Sequence, residues 1–375
     1  MKIIIAPDSF KDSISAKAAA EAIARGLKDG FDEEIELDLL PIADGGEGTL
    51  NAIVPTKQRV SCKVQGPNWQ TTSAEYGFIE NTAVIEMASA AGLMLIKEKE
   101  RSAMRSTTFG VGELIKDALE KGFRNLLLTL GGSATNDGGC GMLSALGAKF
   151  FNQAGETFIP TGGTLKDVAS IDVSNLDQRL KDCHITVATD VTNPLVGKEG
   201  ATMVYARQKG ANEEELVAME EGMMHYAEIL FQTTGKKIEN IQGCGAAGGL
   251  SAPLLALFDC QVKSGIKAVL DALNYEARLL GVDAVITGEG KLDRQSLYGK
   301  AISGVAQGAQ KYNIPVYCFV GCIGDDKEEI KKMGIQDIYV VADRAKDKED
   351  SIKNAEKYLY EIAKEFSKEI NKETK

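Results

Sequence analysis

Carboxylates recur in this chain beside glycines and small residues, each time directly after a short apolar run. The places are Asp8 in Ala6-Pro7-Asp8-Ser9-Phe10-Lys11, Asp44 in Ala43-Asp44-Gly45-Gly46-Glu47-Gly48-Thr49, and Asp137 in Gly131-Gly132-Ser133-Ala134-Thr135-Asn136-Asp137-Gly138-Gly139. Two more follow: Asp190 in Ala188-Thr189-Asp190-Val191-Thr192-Asn193-Pro194-Leu195, and Asp293 in Thr287-Gly288-Glu289-Gly290-Lys291-Leu292-Asp293. One such loop is ordinary turn chemistry. The same pattern at five strand ends points to a shared site. Glycine loops such as Gly131-Gly132-Ser133-Ala134 let backbone N–H groups cradle phosphate, and a helix start after the loop would add its dipole. Carboxylates cannot bind phosphate directly, but they hold Mg²⁺. The combination is that of phosphoryl transfer, where catalysis is positioning plus charge neutralisation.

A hydroxyl acceptor needs a base, and the chain has only two histidines. His184, in His184-Ile185-Thr186-Val187, reads as a satisfied core residue, and His225 lies in a helical stretch. A carboxylate is therefore the expected base. Asp190 leads, in a loop stiffened by Pro194, with Asp8 and Asp44 behind it. Asp44, Asp137 and Asp293 are the candidate metal ligands.

Several other chemistries drop out. No Gly-x-Ser-x-Gly turn marks a hydrolase, and no Gly-Lys pair is followed by Ser or Thr as in a P-loop. Gly243-Cys244-Gly245-Ala246-Ala247-Gly248 spells a dinucleotide fingerprint, but Lys236 to Gln242 before it is a poor strand. The seven cysteines are odd in number and scattered, without a Cys-x-x-Cys pair, so they read as reduced thiols, Cys318 and Cys322 included. With 43 basic against 54 acidic residues, net charge −11, nucleic acid and anionic membrane are poor partners. The N-terminus lacks a signal peptide and no 18-residue apolar window exists, so a cytoplasmic location is expected.

At 375 residues, two to three domains are expected. Glycine, at 39 residues, is about 10% against a usual ~7%, which fits many tight turns. The elements that position the loops alternate strand and helix, an α/β pattern. Strands are expected at Ile3 to Ala6, Glu36 to Pro41, Asn125 to Leu130, Ile185 to Thr189, Asp283 to Thr287 and Pro315 to Val320. Arg59 to Met87 reads as β-rich. Helices are expected at Ser13 to Lys28, capped by Ser13 or Ser15, at Phe109 to Lys121, and from Ser351 to the end. Residues 1–58 and 285–375 form one discontinuous domain in this reading, with 59–284 inserted.

Taken in order, these loops, with Thr107-Thr108-Phe109-Gly110-Val111-Gly112-Glu113 and Gly245-Ala246-Ala247-Gly248-Gly249, resemble the bacterial glycerate kinase family, which is unrelated to P-loop kinases. Ile302, where the family often has proline, and Lys291, where arginine is common, depart from the pattern without removing a carboxylate. The resemblance implies two α/β domains with Rossmann- or flavodoxin-like parallel sheets and an active site in the interdomain cleft. It implies ATP-dependent phosphorylation of glycerate, favouring 2-phosphoglycerate. On that reading Gly131, Gly132, Ser133, Ala134, Thr135 and Asn136, with Gly288, Glu289 and Gly290, would face ATP. Glycerate is an anion, so Lys11, Arg105 and Lys291 are candidates to hold it, with Ser9 and Asp293 beside them. Lys11 also stands among the catalytic candidates. The rival readings are a kinase of another small hydroxy acid and a non-catalytic sugar-acid sensor; a homo-oligomer is compatible with either.

Overall fold

Ile3, Ile4 and Ile5 leave no polar face, so the first strand must be covered on both sides, and all three are fully buried. The structure, a computed structural model, describes residues 1–293, 300–324, 330–332 and 334–373. Residues 294–296, at the end of the last carboxylate loop, lie outside that set. The chain forms two compact units, one of residues 1–44, 51–53 and 265–375, the other of 45–50 and 54–264.

The first unit is built on a five-stranded sheet in the order Ile335–Val340, Val316–Val320, Ala284–Gly288, Lys2–Pro7, Glu36–Leu39. Every neighbouring pair is parallel. This is the flavodoxin-like order, and its switch point lies between Lys2–Pro7 and Ala284–Gly288. There, connections leave in opposite directions, opening a crevice at the strand ends. Ser15, not Ser13, caps the first helix, Ala16–Gly30, its hydroxyl accepting the Ala18 amide at 3.2 Å. Ser13 donates instead to the Ile352 carbonyl at 2.5 Å. The C-terminal stretch divides into Lys348–Lys353 and Ala355–Glu373. The Ala355–Glu373 helix buries Leu359, Ile362 and Phe366 in a core shared with Ile23, Leu27 and Phe319.

The second unit carries a six-stranded sheet ordered Cys260–Lys263, His184–Ala188, Asn125–Thr129, Thr82–Glu86, Thr71–Ile79, Arg59–Gln65. The last two strands run antiparallel and the remaining pairs are parallel. A small three-stranded sheet of Thr157–Phe158, Lys149–Phe151 and Ser170–Asp172 accompanies it. His184 corrects one expectation. Its strand buries Ile185 and Val187, so His184 falls on the outer face and pairs with Asp259 at 2.7 Å. No strand precedes Gly243, in keeping with the rejected dinucleotide motif. All seven cysteines are free. Among the described residues no helix is long and apolar enough to cross a membrane.

The first and last helices meet through glycine. A Cβ on Gly26 would sit 2.2 Å from the Tyr360 carbonyl oxygen and 2.7 Å from Ala363 Cβ. Gly26→Val should therefore push the helices apart and cost about 2–3 kcal/mol or more. Urea unfolding measures this; a variant within 0.5 kcal/mol of wild type, roughly the scatter of harmless surface changes, would contradict the close packing.

Candidate active site

The loops after Lys2–Pro7 and Ala284–Gly288 fold over one another at the switch point. Asp8 donates its amide to the Gly288 carbonyl at 2.8 Å. Gly290 lies so close to the Lys11 backbone that a Cβ would stand 3.1 Å from its nitrogen. The amides of Gly321 and Cys322 tie down the Glu289 and Gly290 carbonyls at 3.0 and 3.1 Å. These loops wall a cavity of about 860 Å³, onto which Asp8, Lys11, Asp44, Glu289, Lys291 and Asp293 open. Ser9 and Gly290 border it too, whereas Gly288 is buried against the Phe319 carbonyl. The size lies in the upper part of the ~300–1,000 Å³ range of ligand sites. A three-carbon acid alone would leave most of it empty.

Charge is divided inside this cavity. Burial pushes the Asp8 carboxyl up to about 6; the nearby Asp44 charge adds to the rise, while the Ser9 amide and the Lys11 charge oppose it. Lys291 pairs with Asp293 at 3.2 Å. Lys346 and Lys348 also line the cavity, and the sequence reading missed both. They flank Asp347, the cap of the Lys348–Lys353 helix, in a polar turn that carries no glycine signal. Among the described residues no three ligating side chains gather around one point. Mg²⁺ needs only one or two carboxylates when phosphates and water complete its shell, and Asp44 beside Asp8 suits that.

In the second unit the Gly131–Gly139 loop is held by its neighbours. The Leu93 amide donates to the Gly132 carbonyl at 2.8 Å, and the Ala134 amide to the Ala91 carbonyl at 2.9 Å. Among the described residues, no acceptor takes the amides of Gly131, Gly132 and Ser133. Gly131 packs on the Glu47 backbone, where a Cβ would stand 2.8 Å from the nitrogen. Glu86 fixes the Glu47 loop in turn, accepting the Gly48 and Leu50 amides at 2.8 and 3.1 Å. The expected helix begins only at Cys140 and ends at Ala145, so this cradle draws on loop amides rather than on a helix terminus. Thr135 and Asn136 are fully buried and cannot meet a ligand at the surface.

Asp137 is likewise corrected. It is fully buried, and its Oδ2 accepts from the Thr108 amide and hydroxyl and the Gly141 amide, at 2.8, 2.9 and 3.2 Å. Its Oδ1 accepts the Gly139 amide at 3.1 Å. A carboxylate committed on both oxygens to its own fold is unavailable to a metal. Asp190 is exposed at the end of its strand, and Arg105 is exposed near Trp69, whose indole N–H donates to the Arg105 carbonyl at 3.1 Å. His225 is bonded through Nε2 to the Val168 carbonyl at 2.7 Å.

The glycerate kinase family model matches residues 3–371. The chain belongs to the glycerate kinase family. It is 43% identical over 371 residues to a glycerate kinase of Bacillus cereus (strain ATCC 10987 / NRS 248), covering 98% of this chain and 97% of that one. It is 44% identical over 345 residues to the glycerate 2-kinase of Escherichia coli (strain K12), covering 91% and 90%. A solved structure from Salmonella typhimurium LT2, assigned as a glycerate kinase 2, superposes with a TM-score of 0.90 at 39% identity, covering 100% of this chain and 99% of that one. The glycerate kinase fold is thus that of the whole chain.

For this family member, the raised Asp8 pKa carries a stability consequence. A carboxyl whose folded value, about 6, exceeds its ordinary 3.8 favours folding when protonated, and that benefit is lost as pH rises through 6. Asp8→Asn should therefore raise stability at pH 8 by about 1–3 kcal/mol, and the gain should vanish below pH 4. Thermal melts at the two pH values check it; equal melting temperatures at pH 8 would mean that Asp8 is not strained by burial.

Proposed function

We propose that the chain transfers the terminal phosphoryl group of ATP to glycerate, giving 2-phosphoglycerate. The observation that carries this is the pair of carboxylates, Asp8 and Asp44, beside Lys11 and Lys291 at the switch-point cavity of a glycerate kinase family member. The E. coli relative, a glycerate 2-kinase, supports the C2 hydroxyl as acceptor.

In this reading Lys11, Lys291 and Arg105 are the cations that hold the glycerate carboxylate, with Ser9 bonding its hydroxyls. The amides of Gly131, Gly132 and Ser133 receive phosphate oxygens, and Glu289 and Gly290 flank the nucleotide. Asp44 and Asp293 hold Mg²⁺, which when bound neutralises phosphate charge. As the acceptor oxygen attacks the γ-phosphorus, the bond to the leaving ADP oxygen breaks and a carboxylate takes the hydroxyl proton. A base works best with a pKa near the operating pH, and its value of about 6 favours Asp8 over the exposed Asp190.

Three measurements test the proposal. ADP release should appear with D- or L-glycerate and be weak with glycolate and tartronate. Release with none of them would favour a sensor, and release only with another acid a different kinase. Asp8→Asn should lose about 10²–10⁴ in kcat, while Asp190→Asn keeps more than a tenth; the reverse result would make Asp190 the base. Gly132 has φ +69 and packs near Glu47 Oε2, 2.8 Å from a would-be Cβ. Gly132→Val should fold and raise the ATP KM at least tenfold, and a normal ATP KM would remove this loop from the site.

A further inference from the structure

Lys209 is a lysine with almost no exposure, 2%, in an apolar setting, a placement that lysine almost never adopts without a partner. It ends the short helical turn Arg207–Lys209 that follows the Ala201–Tyr205 helix. Its Nζ donates to the Thr135 carbonyl at 2.7 Å. From the same segment Thr202 Oγ1 accepts the Asn136 side-chain amide at 3.0 Å. Successive residues of the glycine loop are thus held from one element, at the backbone and at a side chain. On the other side Gly248 closes against the same carbonyl, where a Cβ would stand 2.1 Å from the Thr135 oxygen. The Gly138 amide donates to the Gly248 carbonyl at 3.0 Å. Burial pushes the Lys209 ammonium down to about 7, and the Asp137 charge pulls it back up. Such a buried cation is costly, and its retention is explained by what it holds.

We propose that the Ala201–Lys209 segment is a splint for the phosphate cradle, with Lys209 and Thr202 as positioning residues that fix Thr135 and Asn136 and so aim the Gly131–Ser133 amides. This rests on the reading that those amides bind ATP. Neither side chain touches ligand. Both set the geometry of groups that do, and a small misplacement of such groups is costly in transfer chemistry.

The test uses full-length Lys209→Met and Thr202→Val beside Gly132→Val, with kinetics taken well below each melting temperature. Lys209→Met removes the ammonium at nearly constant length, and Thr202→Val removes the hydroxyl without burying a charge. The expected result is an ATP KM raised at least tenfold in Lys209→Met and threefold or more in Thr202→Val. The glycerate KM should stay within twofold, and amide exchange in a peptide spanning 131–136 should quicken. A residue that only supports the fold would lower the melting temperature and leave both KM values alone, and that outcome overturns the splint. If Lys209→Met is insoluble, Thr202→Val and Lys209→Arg decide: Lys209→Arg, keeping charge and donor, should stay closer to wild type than Thr202→Val. A normal ATP KM in Thr202→Val would then refute the proposal. A normal ATP KM in folded Gly132→Val as well would place the failure in the underlying reading of the loop. A raised one there, with the other two variants normal, would place it in the splint alone.

Discussion

A buried carboxylate must be satisfied from within, and in the second unit that demand is met at Asp137. Its four donors come from Thr108, Gly139 and Gly141, so two helix starts converge on one side chain. Phe109–Glu120 begins beside Thr108, whose hydroxyl also accepts the Met142 amide at 2.9 Å; Cys140–Ala145 begins beside Gly139. Orphaned amides at helix N-termini need acceptors, and an anionic acceptor there also meets the dipole. Gly112 lets the helices close, since a Cβ there would stand 2.4 Å from the Met142 carbonyl. The Thr107-Thr108-Phe109-Gly110 stretch is therefore structural: it supplies donors to Asp137, and Asp137 sets where the glycine loop can run.

The first unit solves a different problem. A five-stranded parallel sheet in flavodoxin order opens a crevice only at its switch point, and Asp8 is the first residue past the strand on one side of it. The sheet's geometry, not a local motif, brings Asp8 near Glu289 and Gly290 across nearly the whole length of the chain. The result is a carboxylate held where burial disfavours its charge. A fold selected for stability alone would place a neutral side chain there, and functional sites commonly retain such tension.

Much of this was legible in the sequence, because short apolar runs followed by glycine and aspartate report strand ends directly. Ile3 to Ala6 and Asp283 to Thr287 read as strands, and they are neighbours in the sheet. What the pattern could not carry was direction and burial. Asp8 and Asp137 look alike in sequence, each an aspartate in a small-residue loop. One lines a cavity, and the other is sealed inside its unit. The difference lies in Thr108 and Gly141, at both sequence-distant and sequence-near positions that only the fold assembles. Lys346 and Lys348 were invisible for the opposite reason: a lysine beside a helix cap is ordinary on any surface, and only the cavity behind it gives it meaning.

The glycine-rich turn at 243–249 shows how a motif can be real and yet not mean what its spelling suggests. The dinucleotide fingerprint needs its glycines because a pyrophosphate must approach the backbone. Here the same lack of side chains admits protein. Gly245 lies against the Pro194 carbonyl, 2.2 Å from a would-be Cβ, and Gly248 against Thr135 in the same way. Ala247, Gly248 and Gly249 all take positive φ, so the turn curls tightly enough to present the Gly248 carbonyl to the Gly138 amide. Glycine spacing records close approach, and the preceding element decides what approaches. With no strand before Gly243, the partner is another loop of the same unit, and the motif belongs to the support of the cradle.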